Sequence, residues 1–120
     1  MSERTVYVAD AHAHRPWWTK HELAHFHRIE SALRAAGLRV EMDSGVTDEG
    51  EPWFVFFDVE SGDVVAHFAR ISRTYVACAP FLNSALTRRV FSDLVARFLD
   101  RCPGPGRRMT TYSSRSTPAA

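Results

Sequence analysis

Between positions 20 and 36 the apolar residues Leu23, Phe26, Ile29, Leu33 and Ala36 recur at spacings of three and four. That period lines them up on one side of a helix and predicts a stripe laid against a sheet. Both ends of the helix are marked. Thr19 followed three residues later by Glu22 is a capping box, and Trp18 with Leu23 occupies the positions of a hydrophobic staple. Gly37 permits the left-handed turn that closes a helix, and Leu38 can fold back on the last turn. The period then changes to two. Leu38, Val40 and Met42 alternate with Arg39, Glu41 and Asp43, as expected of a strand with one buried face. A polar loop, Ser44 to Pro52, follows. Trp53 to Val59 is almost wholly apolar and predicts a central strand; Glu60-Ser61-Gly62-Asp63 predicts a hairpin turn into another strand from Val64 to Ile71. Thr74 to Ala79 predicts a last strand, stopped by Pro80. Asn83 or Ser84 is placed to cap a second helix carrying Leu86, Val90, Leu94, Val95, Phe98 and Leu99, which ends before Pro103.

This order predicts an α+β fold: one domain over residues 19–102, helix, three or four antiparallel strands, helix, with both helices on one sheet face. Residues 1–18 read as an N-terminal arm with a possible short strand at positions 5 to 9. From Pro103 the chain runs Pro-Gly-Pro-Gly-Arg-Arg and then Ser, Thr and Ala, with almost nothing to bury, so a disordered basic tail is expected over 103–120. A length of 120 residues suits one modest core.

Charge adds polarity to this picture. Residues 41 to 63 hold eight acids and no Lys or Arg, whereas 64 to 120 hold nine arginines against Asp93 and Asp100. Such opposed halves can steer a partner or favour self-association, and they equally describe solvated loops. The fifteen basic residues are fourteen arginines and Lys20, a usage that points to a GC-rich bacterial genome. Two cysteines, Cys78 and Cys102, form neither a disulfide framework nor a C-x-x-C site, which fits a reducing cytoplasm. No apolar run approaches the ~18 residues of a membrane span, and Met1-Ser2-Glu3-Arg4 lacks the features of a secretory signal. A cytoplasmic location without membrane contact is the expectation.

One motif carries known chemistry. His21-Glu22-Leu23-Ala24-His25 places two imidazoles one helical turn apart, where both can bind zinc while Glu22 activates the metal-bound water. The alternative reading of this helix is therefore a zinc-binding protein or zinc-dependent hydrolase, with His21 and His25 as ligands and Glu22 as the catalytic residue. Three physical points oppose it. Glu22 is the third-position member of the capping box, so its carboxylate already has a partner. His21 sits in the first turn, where the helix dipole disfavours a cation. No third ligand follows at a fixed spacing.

Asp10-Ala11-His12-Ala13-His14, after an apolar run, resembles the D-x-H-x-H of amidohydrolase-type metal barrels. Those barrels need ~200 residues or more, so nothing is carried over from the resemblance beyond a loop-helix chelate of His12, His14, His21 and His25. Asp58 and Glu60 suggest a magnesium-dependent nuclease, yet the lysine that would stabilise developing charge is missing. Arg88-Arg89 and the element order suggest a double-stranded RNA-binding module, but the clustered basic face is absent.

The expectation is accordingly a small non-enzymatic bacterial accessory or regulatory module acting through protein contacts, without a cofactor. Its binding residues are expected to be Trp17, which suits an interaction surface, and Asp48, Glu49 and Glu51 of the acidic loop. The partner is another protein or a second copy in a homodimer: Trp53, Val55 and Phe57 alternate with Phe54 and Phe56 and make both faces of that strand apolar, which favours dimerisation or burial under the N-terminal arm.

Overall fold

In a computed structural model that describes residues 17–103, the chain forms α1 (Lys20–Ala35), β1 (Val40–Val46), β2 (Pro52–Asp58), β3 (Val64–Ile71), β4 (Thr74–Cys78), β5 (Leu86–Arg88) and α2 (Phe91–Arg101). The N-terminal arm with its possible strand, His12 and His14, and the tail beyond Pro103 lie outside the described residues. Helix α1 starts and stops where its caps dictate. The Thr19 hydroxyl accepts from the Glu22 amide at 3.1 Å, and Glu22 Oε1 accepts from the Thr19 amide at 2.8 Å. At the other end Gly37 adopts φ +98°, its amide donates to the Arg34 carbonyl at 2.9 Å, and the Leu38 amide reaches the Leu33 carbonyl at 3.2 Å. This is the paired closure expected of a glycine-terminated helix.

The strands form one five-stranded sheet in the order β1-β2-β3-β4-β5, each antiparallel to its neighbours. Register sorts the side chains. Phe56 pairs with Met42 and Ala66, and Phe54 with Ser44 and Phe68, while Phe68 pairs with Ala77. These residues share the inner face, on which both helices lie. Phe26 of α1 stacks on Phe54 with ring centroids 3.8 Å apart, and Phe98 of α2 meets Phe68 edge-on at 5.0 Å. Between β2 and β3 the register shifts at Phe56 and Phe57, leaving Val65 as an extra residue. Such a bulge points two successive side chains the same way, and both Val65 and Ala66 are fully buried. The architecture is thus the expected single α+β domain, with one strand more than three or four.

Two boundaries differ from the expectation. Strand β1 continues through Ser44 and Gly45 to Val46, so the loop shrinks to a turn over residues 47–51. Gly45 belongs in the strand because the Trp53 indole lies across it: a Cβ there would sit 2.5 Å from Trp53 Cζ2. The second correction concerns α2. Leu86 and Arg88 pair with Ala77 and Tyr75 as β5, and the helix begins only at Phe91, so neither Asn83 nor Ser84 caps it. Val90 occupies the N-cap with no side-chain hydrogen bond and stands 53% exposed. Pairing with the β4 edge overrides the helical spacing of Leu86 and Val90, while Phe91, Leu94, Val95 and Phe98 keep the buried stripe.

Candidate functional site

Helix α1 directs Glu22 inward, and the residue is buried, 6% exposed. Its Oε1 accepts from the Thr19 amide and from Arg70 Nη1 at 3.0 Å; its Oε2 accepts from the Tyr75 hydroxyl and from Arg70 Nη1 at 3.3 Å. Arg70 reaches further. Its Nη2 donates to the Trp17 carbonyl at 3.1 Å, and its guanidinium lies 5.4 Å from the centre of the Trp18 ring. Burial first, and then the bond to Glu22, push the Tyr75 phenol up to about 12, so it remains a hydrogen-bond donor across the physiological range. Trp18 is more than a staple: it packs against Phe26, Phe54 and Phe91 and donates from its ring nitrogen to the Trp53 carbonyl at 3.2 Å.

Glu22 is therefore committed to the cap, the ion pair and the phenol, and both oxygens are occupied. A general base needs a free lone pair aimed at its water, and neither oxygen offers one. His21 is exposed and His25 half-buried, with ring centroids 5.3 Å apart and planes at 86°. The His25 ring packs edge-on against Phe91, and Arg28 Nη1 donates to His25 Nδ1 at 3.1 Å, which occupies that nitrogen and sets a cation beside the ring. Burial, and next the Arg28 charge, hold His25 below its ordinary value. Among the described residues no group of three or more His, Cys, Asp or Glu side chains is placed to hold a metal ion.

Sequence reasoning found Glu22 but missed Arg70 and Tyr75. The signal was present in the strand phase: Phe68 faces the core, so Arg70, two residues on, must point the same way. An arginine in a buried phase requires an acidic partner.

The remaining carboxylates serve turns. Asp58 Oδ2 accepts from the Ser61 hydroxyl at 3.1 Å, and Glu60 pairs with Arg39 at 2.9 Å on the surface, so the two do not converge. Arg88 and Arg97 share an open cavity of about 500 Å³ with Asp93 and Asp100, which compensates their charge. Burial raises the Cys102 thiol, the opposite of what a nucleophile needs.

The sheet's outer face is different in kind. Trp53, Val55 and Phe57 of β2, Ala69 and Ile71 of β3 and Val76 of β4 share it by register, and no described element lies over it. His67 stands near its centre, between Val55 and Cys78; it is exposed, and partial desolvation by its neighbours holds the imidazole below its ordinary value. The face continues onto one end of the molecule. Val46 ends β1, Ile71 ends β3, Val90 follows β5 and Trp17 precedes α1, all at the end where Trp18 binds the Trp53 carbonyl, and all are exposed large hydrophobics. The expected binding residues divide accordingly. Trp17 is 42% exposed on this end; Asp48 and Glu49 are exposed and Glu51 half-buried on the β1–β2 turn at the same end. No helix among the described residues is long and apolar enough to cross a membrane.

No protein-family model matches the chain, and comparison with curated proteins and with solved structures likewise finds no match.

Proposed function

We propose that this chain is a small bacterial accessory or regulatory module of the cytoplasm that works without catalysis, through protein contacts made by the outer sheet face. One observation carries the reading: the middle strands of the outer face are lined by Trp53, Val55, Phe57, Ala69, Ile71 and Val76, and the two helices cover only the inner face. The three strands β2, β3 and β4 at ~4.8 Å spacing, with ~6 residues each at ~3.3 Å, give about 300 Å² of largely apolar surface, at the small end of the patches that monomers keep for function. Exposed Trp17 and the acidic turn at Asp48, Glu49 and Glu51 flank it, supplying an aromatic anchor and a charged rim. The test is a photo-reactive side chain at Val55, with Ser92 on the exposed side of α2 as control, irradiated in the cell that makes the protein. Covalent protein adducts from position 55 alone are expected. Equal labelling from both positions, or none from either, would rule the outer face out as the contact surface.

A further inference from the structure

Strand β1 ends the sheet among the described residues, and the bonds at its two ends show which way its backbone groups point. The Val59 amide donates to the Arg39 carbonyl at 2.8 Å and the Thr47 amide to the Glu51 carbonyl at 2.9 Å, both toward the β2 side. Antiparallel pairing alternates. Glu41, Asp43 and Gly45 therefore also bond toward β2, while Val40, Met42, Ser44 and Val46 turn their amides and carbonyls to the open edge. Such a row is a template on which another strand can add. Two of its groups are already taken. Arg34 Nη2 donates to the Val40 carbonyl at 2.7 Å, and the Ser44 amide donates to Asp43 Oδ1 at 2.8 Å. Arg34 is itself held, because its Nε and Nη2 both reach Glu30 Oε2, at 3.1 and 3.0 Å, one turn earlier on α1.

We infer that β1 is a guarded edge: Arg34, positioned by Glu30, and Asp43 together keep the sheet from adding a further strand. Charge and hydrogen bonding close different registers. When two β1 strands pair antiparallel over their full length, Val40 lies opposite Val46, and Asp43 opposes Asp43 of the other copy. A shift of one pleat in one direction lays Glu41 opposite Asp43 twice and sets the occupied Val40 carbonyl against the occupied Ser44 amide. The opposite shift clears both acids. It leaves only Met42 to Val46 overlapping, with the occupied Ser44 amides of both copies at its centre. The far edge needs no such device, since β5 has three residues and lies against α2.

Met42 carries the test, because its amide points to the open edge at the middle of the strand. Amide hydrogen exchange of the full chain, read residue by residue over a dilution series, compares the wild type with Arg34→Ala plus Asp43→Ala and with Arg34→Ala alone. Both positions are exposed, so the fold should survive, and far-ultraviolet circular dichroism reports it. Should the double variant unfold, the single one decides. The wild-type Met42 amide is expected to exchange fast at every concentration while that of Asp43, bonded to β2, stays protected. In the double variant the Met42 amide should slow by about 10-fold or more at the highest concentration as edges pair, with part of that effect in the single variant. Contacts on the outer face leave the Met42 amide open in the plane of the sheet, so this readout stands apart from the function proposed above. A slow Met42 amide in the wild type, or one that neither variant slows, overturns the inference.

Discussion

Replacing Glu22 by alanine separates a structural glutamate from a catalytic one. The substitution removes three things at once. The capping box loses its returning carboxylate, a loss of about 1 kcal/mol. Arg70, whose side chain is 16% exposed against 8% for Glu22, loses the carboxylate of a largely buried ion pair, which typically costs about 3 kcal/mol. The Tyr75 hydroxyl loses its acceptor, at about 1 kcal/mol. These groups form one network, so their losses overlap, and we expect about 4 kcal/mol in all. For a domain of this size that lowers the melting temperature by about 20 °C, a large part of a typical stability. The assay is urea unfolding followed by helical ellipticity. Arg70→Met should cost about 3 kcal/mol alone, and Glu22→Ala combined with Arg70→Met should cost far less than the sum, since no charge is then left stranded. A melting temperature within a few degrees of wild type for Glu22→Ala would refute the reasoning. It would mean that Glu22 and its partners add little to the stability of the fold.

Two further outcomes follow from particular groups. Val90 caps α2 without a side-chain acceptor although its backbone, φ −110° and ψ 124°, already suits a cap. Val90→Asp should therefore stabilise the domain by about 1 kcal/mol in the same urea assay, and a loss of stability would show that the exposed valine is packed in solution. The second outcome concerns acid. His67 and His25 both titrate below the ordinary 6.5, so between their folded values and 6.5 the unfolded chain binds more protons. Stability is therefore complete above pH 6.5 and declines as pH falls below it, and His67→Gln should flatten part of that decline. An unchanged slope in the variant would show that His67 is not dehydrated.

How much of this was legible follows the range of the forces involved. Helix α1 was readable to within a residue because its signals are local: Thr19, Glu22 and Gly37 act within one turn of the boundary they set. The central strands were readable because they are mostly apolar runs of seven and eight residues separated by the Glu60-Ser61-Gly62-Asp63 turn. Strand β5 was not, since three residues cannot display a period and their conformation is imposed by Tyr75, Val76 and Ala77. The Ser44 to Val46 end of β1 was hidden for the same reason: glycine lowers strand propensity, and only the indole of Trp53, eight residues away, explains its place. In the candidate site, Glu22 was visible as a cap, but its ion pair spans 48 residues and its phenol contact 53, beyond the reach of local pattern.

The two apolar faces of β2 also explain why a buried ion pair is worth keeping. Hydrophobic burial alone hardly distinguishes the two faces of β2, because Phe54 and Phe56 on one side are matched by Trp53, Val55 and Phe57 on the other. Helix α1 laid on the wrong face would still bury Phe26, Ile29 and Leu33. It could not satisfy Glu22, because Arg70 and Tyr75 both point inward from adjacent strands and pair directly across the ladder. The network thus penalises the wrong face by stranding a buried carboxylate and a buried guanidinium, at several kcal/mol, even where it adds little net stability to the right one. Glu22→Leu with Arg70→Met should accordingly keep much of the unfolding free energy while weakening the near-ultraviolet circular dichroism of Trp18, as α1 loses its unique seat. A variant that kept both the stability and the full aromatic signal would show that packing alone chooses the face.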